Sequence, residues 1–218
     1  MNNNIARILN AVENVKYFFI DFDGTLIKNE SLNKLSYQDL LNNFNVGEPI
    51  SDQDWIQKCV GFTDKEIAEY FIKEYHLKTT PEEVIKNNLE SRFRLYRTME
   101  FELNPLIKEL LARYPDKQYI MLSNNDADVI NYQLEKQGIK EQISEIMSNH
   151  TTGLSKEQML EKFIHDKNIL PHEICCIDDE PRKIKALNKF GVITIYTKNY
   201  VNLECKEATY SFQWYDEN

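Results

Sequence analysis

Glycine and proline are both scarce in this 218-residue chain, six of each. With no internal repeat either, that shortage leaves no obvious flexible linker between modules. Cysteine is rarer still, at four. Cys59, Cys175, Cys176 and Cys205 lack the spacing of a zinc site, and Cys175 and Cys176 would alternate across a buried strand. Reduced thiols and a cytoplasmic location are the expectation. No apolar run approaches the roughly 20 residues of a membrane span. The opening Met1-Asn2-Asn3-Asn4 lacks the basic and apolar regions of a secretory leader. Positive charge is in deficit as well, 26 Lys and Arg against 35 Asp and Glu, for a net charge of −9. That balance argues against a nucleic-acid or anionic-membrane partner. It still admits an anionic small molecule where a bound metal supplies a local positive field.

What the chain does have is one concentrated signal, the run from Tyr17 to Ile27. Four large apolar residues (Tyr17, Phe18, Phe19, Ile20) lead into Asp21-Phe22-Asp23-Gly24-Thr25. A short apolar run bounded by a turn signal reads as a buried strand, and the carboxyl ends of such strands are where open α/β sheets place ligands. On an extended backbone Asp21 and Asp23 would point to the same side. Gly24 would let the chain turn close to a bound anion. Two adjacent carboxylates repel unless a cation sits between them, and hard oxygen donors suit Mg²⁺.

Taken in order, Ile5, Ile8, Leu9 and Val12 predict a short helix before that strand. After Thr25 the pattern stays helical for about seventy residues. Ser51, the Thr63/Glu66 pair and Thr80-Pro81 read as helix starts within it. Strands then alternate with helices: Gln118–Leu122, Ile143–Met147, Ile174–Ile177 and Val192–Tyr196, with Ser155 capping a helix between the second and third. That alternation implies a parallel sheet with right-handed crossovers. The tail from Tyr200 to Asn218 carries no assignable pattern.

Three strand ends thus carry polar residues toward one sheet edge: Asp21 with Asp23, Ser123 with Asn124, and Asp178 with Asp179; Lys156 opens a helix between the last two. Singly, Ser123-Asn124-Asn125-Asp126 also reads as a helix cap, Lys156 as a solvated lysine, and Asp178-Asp179 as acids before a helix start. Their joint order, Asp-x-Asp-Gly-Thr, Ser, Lys, Asp-Asp, resembles the haloacid dehalogenase (HAD) superfamily over about residues 15–196. The helical insertion looks like the cap of its phosphoglycolate phosphatase and β-phosphoglucomutase branch. Gly61-Phe62-Thr63-Asp64 and Phe93-Arg94-Leu95-Tyr96 stand where that cap's segments fall. The resemblance implies a three-layer, parallel-sheet Rossmann-like α/β core (1–27 and 101–218) with an inserted all-helical cap (28–100).

The chemistry suits these residue types. A carboxylate, Asp21, can attack a phosphate monoester and split one hard displacement into two; Asp23 can protonate the leaving oxygen and then activate water. By resemblance, Mg²⁺ would be held by Asp21, the backbone carbonyl of Asp23, and an acid on the last motif. Aligning on the apolar strand favours Asp179 as the direct ligand, with Asp178 secondary. Gly24, Thr25, Ser123, Asn124 and Lys156 would hold the phosphate. Two departures stand out: Ser155-Lys156-Glu157-Gln158 replaces the branch's Lys-Pro-x-Pro, and Lys183 occupies a place where relatives carry Asp or Asn. Lys58, Thr63 and Lys65 are candidates to face the site, Glu30 and Asn33 to line the hinge, and Arg92, Arg94 and Arg97 to form a solvated face. The expected activity is a Mg²⁺-dependent phosphatase for a small phosphorylated metabolite, from a monomer or homodimer. A phosphomutase or a catalytically weak binding or regulatory protein is the alternative. A dehalogenase is disfavoured, because alkyl-halide displacement has no use for the acid that Asp23 supplies.

Overall fold

The computed structural model describes residues 3–59, 62–198 and 204–214. The chain divides into two compact units, one of Met1–Lys28 with Phe101–Asn218, the other of Asn29–Glu100.

The first unit is a parallel sheet with helices on both faces. Its elements are α1 (Asn3–Ala11), β1 (Tyr17–Ile20), then α6 (Pro105–Arg113), β2 (Gln118–Ser123), α7 (Ala127–Lys136), β3 (Ile143–Ser148), α8 (Asn149–Thr152), α9 (Lys156–Lys167), β4 (Ile174–Asp178), α10 (Pro181–Asn188), β5 (Ile193–Lys198) and β6 (Tyr210–Gln213). The sheet order is β3-β2-β1-β4-β5-β6, and every pairing is parallel. Strand order reverses beside β1, which lies between β2 and β4. In open α/β sheets this switch point opens the crevice used for ligands.

Strands buried on both faces should read as continuous apolar runs, and β1, β2 and β4 do. On one face Phe19 packs edge-on against Phe163 of α9, ring centroids 4.9 Å apart. Ile120, Leu122, Met159, Leu160 and Cys176 surround them. On the other face Phe18 stacks on its register partner Tyr119, whose hydroxyl donates to the Leu110 carbonyl of α6 at 2.8 Å. β6 is a sixth strand beyond the five expected. It follows β5 in parallel through the Ile195–Tyr210 to Lys198–Gln213 register, and lies within the tail left unassigned; Tyr200–Leu203 and Tyr215–Asn218 of that tail lie outside the described residues.

The chain leaves and re-enters this unit side by side. Ile27 and Leu103 form an antiparallel bridge, Lys28 N–H donates to the Glu102 carbonyl at 3.0 Å, and the buried Asn104 amide donates to the Thr25 carbonyl at 2.8 Å.

The second unit is all helical: α2 (Glu30–Asn43), α3 (Asp52–Lys58), α4 (Asp64–Glu74) and α5 (Pro81–Thr98). Its starts follow local chemistry. Ser51 accepts from Asp54 N–H, Thr63 and Glu66 form a reciprocal capping box, and Thr80 caps a helix whose first residue is Pro81. The core holds Tyr37, Leu40, Leu41, Trp55, Phe71 and Val84, with Tyr37 stacked on Phe71 at 4.7 Å. No helix among the described residues is long and apolar enough to cross a membrane.

Because each unit has its own core, Phe71→Ala should cost about 3–5 kcal/mol in the helical unit. Hydrogen exchange should show faster amides across 29–100 while β1, β2 and β4 stay protected. Uniform loss across both units would contradict two separate cores.

Candidate active site

The site grows from the ends of β1, β2 and β4. β1 stops at Ile20, before the aspartates, so alternation along a strand does not orient them. Asp21 makes one further ladder bond, its N–H donating to the Ile177 carbonyl at 2.9 Å. The chain then turns, with Leu26 and Ile27 N–H both donating to the Phe22 carbonyl. Phe22 is fully buried and anchors that turn. A turn, rather than a pleat, thus brings Asp23 back beside Asp21. Gly24 sits in it at φ +67°, in the left-handed region open to glycine. A Cβ there would overlap the Asp179 carboxylate, so the close approach of these two segments requires glycine.

Lys156 lies at the centre, only 3% exposed. Its Nζ stands 2.8 Å from Asp21 Oδ1 and 2.7 Å from Asp178 Oδ2. Lys156 is the first residue of α9, whose start is fixed by the Ser155/Gln158 capping box. The second oxygen of Asp178 accepts the Glu180 N–H at 2.9 Å. Asp21, Asp178 and Asp179 each offer a carboxylate oxygen, all within 4.8 Å of one another.

This group is rich in negative charge. Burial, reinforced by Asp178 and Asp23 against the pull of Lys156, pushes Asp21 up to about 7. Burial opposes the charge on Lys156 too, but Asp178 and Asp21 outweigh it and hold the ammonium protonated above its usual range. Lys156 is shared by two of the three clustered carboxylates. Hard oxygen donors at this spacing, carrying excess charge, fit a divalent cation such as Mg²⁺.

The other candidates fall into place unevenly. Ser123 is buried at the end of β2, where its hydroxyl accepts the Asn125 N–H at 3.1 Å. Asn124 is exposed. The Thr25 side chain is fully buried, with its hydroxyl 3.4 Å from that of Thr197 and its carbonyl taken by Asn104. It secures the turn from behind. Lys183 pairs with Glu157 at 3.3 Å. The residue that sequence reading passed over is Asn125, whose amide donates to Asp23 Oδ2 at 2.9 Å. Its place after Ser123-Asn124 was visible, but only the turn shows which asparagine reaches inward.

In the helical unit, Arg94 is exposed and paired with Asp39, and Arg97 is exposed, as a solvated face requires; Arg92 is half-buried. Lys58 and Thr63 are exposed, and Lys65 lies 4.0 Å from Glu69. Gly61 and the Glu30 side chain lie outside the described residues.

The family model for haloacid dehalogenase-like hydrolases matches residues 18–197. A search of curated proteins finds no match. Among solved structures, the chain is similar to CbbY from Rhodobacter sphaeroides in complex with phosphate (15% identity, 91% of this chain and 93% of that one, TM-score 0.74). It is similar to a predicted phosphoglycolate phosphatase from Haemophilus somnus 129pt (17% identity, 92% and 95%, TM-score 0.74). The HAD-hydrolase YfnB from Bacillus subtilis bound to magnesium has the same fold (14% identity, 91% and 94%, TM-score 0.71). The matched stretch begins in β1, ends in β5 and takes in every strand end that builds the site; the chain belongs to the haloacid dehalogenase-like hydrolase family.

Proposed function

We propose that this protein is a Mg²⁺-dependent phosphatase acting on a small phosphorylated metabolite through an aspartyl-phosphate on Asp21. The observation that carries this reading is the buried Lys156, ion-paired to both Asp21 and Asp178 with Asp179 alongside. Solved structures of the same fold hold phosphate in one case and magnesium in another, which supports the substrate class and the ion.

The ion would be held by Asp21, Asp179, Asp178 and the backbone carbonyl of Asp23, and when bound it supplies positive charge that screens the attacking carboxylate from the phosphate. Asp21 attacks phosphorus through one carboxylate oxygen, and the bond from phosphorus to the ester oxygen breaks. That oxygen keeps the bonding electron pair and takes the proton from Asp23. Asp23, now a carboxylate, accepts a proton from water as the water oxygen attacks the phosphoryl group. The Asp21–phosphorus bond breaks, returning inorganic phosphate and free Asp21. Lys156 holds a transferring oxygen and keeps Asp21 oriented; Ser123 and backbone N–H groups after Asp21 complete the cradle. Lys183, committed to Glu157, leaves the carboxylate cluster undisturbed, which weakens the case for an inactive relative.

Phosphate release from a broad set of phosphorylated metabolites should need Mg²⁺ and cease with chelator. Asp21→Asn should lower it by about 10³-fold or more, as removal of a nucleophile does. Release that survives the substitution would sink the aspartyl-phosphate route.

Lys156→Met should leave Asp21 and Asp178 buried without their counter-charge. At neutral pH without metal, denaturant unfolding should show a loss of about 3–5 kcal/mol. Saturating Mg²⁺ should recover part of it by binding the folded state. Unchanged stability would mean that Lys156 does not balance this charge.

A further inference from the structure

We infer that Asn125 is a positioning residue for Asp23, holding the orientation of its carboxyl group for proton transfer to the leaving oxygen. This rests on the phosphatase reading above. Asp23 lies on a turn and is half-buried. Asn125 Nδ2 donates to Asp23 Oδ2 at 2.9 Å across 102 residues of sequence.

Asn125 is itself held at three other points. Its N–H donates to Ser123 Oγ at 3.1 Å, its Oδ1 accepts the Asp126 N–H at 2.8 Å, and its carbonyl accepts from Ser148 Oγ at 2.6 Å. Ser148 is fully buried at the end of β3. A backbone N–H can only donate, so the contact with Asp126 fixes the amide oxygen on that side and leaves the NH₂ facing Asp23. Oδ2 thus accepts a fixed amide donor, and the contact sets the orientation of the Asp23 carboxyl group. Two strand ends, β2 and β3, thus orient the acid that follows β1.

The test compares wild type, Asn125→Ala and Asn125→Asp on a series of phosphate esters with Mg²⁺, from p-nitrophenyl phosphate through phenyl phosphate to an alkyl phosphate. Good leaving groups need little protonation and poor ones need it fully. Both variants should lose about 10²-fold in kcat on the alkyl ester, the scale of general-acid assistance. On p-nitrophenyl phosphate they should stay within about threefold, with KM little changed throughout. Asn125→Asp keeps the acceptor for Asp126 N–H and replaces the donor to Asp23 with a second carboxyl oxygen, so a loss in that variant arises on the Asp23 side of the contact. Wild-type kcat in Asn125→Asp across the series would overturn the inference. So would an equal loss for every leaving group, or the failure of both variants to fold, since each marks a structural role. No metal-dependent release by wild type from any ester would instead overturn the phosphatase reading.

Discussion

One buried ammonium holds the centre of this protein together. Desolvating a lysine and two carboxylates costs several kcal/mol per ion, and the cost is met only where geometry is good and remaining lone pairs are satisfied. Lys156 meets both conditions, with Asp21 and Asp178 each within 2.8 Å and the second Asp178 oxygen on the Glu180 N–H. Its place runs against helix electrostatics. A helix N-terminus carries partial positive charge and disfavours a cation, yet Lys156 is the first residue of α9. The carboxylates, not the helix, explain a lysine there. Glu157, next in line, favours the helix start and draws Lys183 of α10 to itself, so the two helices flanking β4 are tied beside the site.

The sheet order gives the ammonium its partners. β1 pairs with β2 on one side and β4 on the other, so Asp21 emerges between Ser123 and Asp178 without any long-range loop. The crossing at residues 25–28 and 102–104 lets the helical unit be inserted directly after the first motif. Its entry and exit are hydrogen-bonded to each other, and Asn104 takes the Thr25 carbonyl.

Local signals were the legible ones. Ser51, Thr63 with Glu66, Thr80 before Pro81, and Ser155 all read as helix starts because each cap is decided within four residues. Apolar runs bounded by turns located five strands for the same reason. β6 was not legible: Tyr210–Gln213 is short and only half-buried apart from Phe212, so no run of apolar residues marks it. The strand exists because the β5 edge is there to pair with. The site divided along the same line. Asp21, Asp178, Asp179 and Lys156 could be placed by strand end and order. Thr25 and Asn125 could not, because whether a side chain looks inward is set by the turn around Phe22 and by Ser148, 23 residues beyond Asn125.

The charge of the site bears on how an acidic chain could take an anion at all. Lys156 is paired with Asp21 and Asp178, Asp179 lies beside them, and burial already lifts Asp21 to about 7. A phosphate dianion entering that field alone meets repulsion at every carboxylate. A divalent cation would be attracted by the carboxylates of Asp21, Asp178 and Asp179. Under the proposed function each would improve the site for the other, and the coupling would be reciprocal: whatever factor the cation added to phosphate affinity, phosphate would add to cation affinity. Under the proposed chemistry, the net charge of −9 is then no obstacle to phosphate binding. Selectivity for the pair over either ion alone follows from keeping the acids in excess of Lys156.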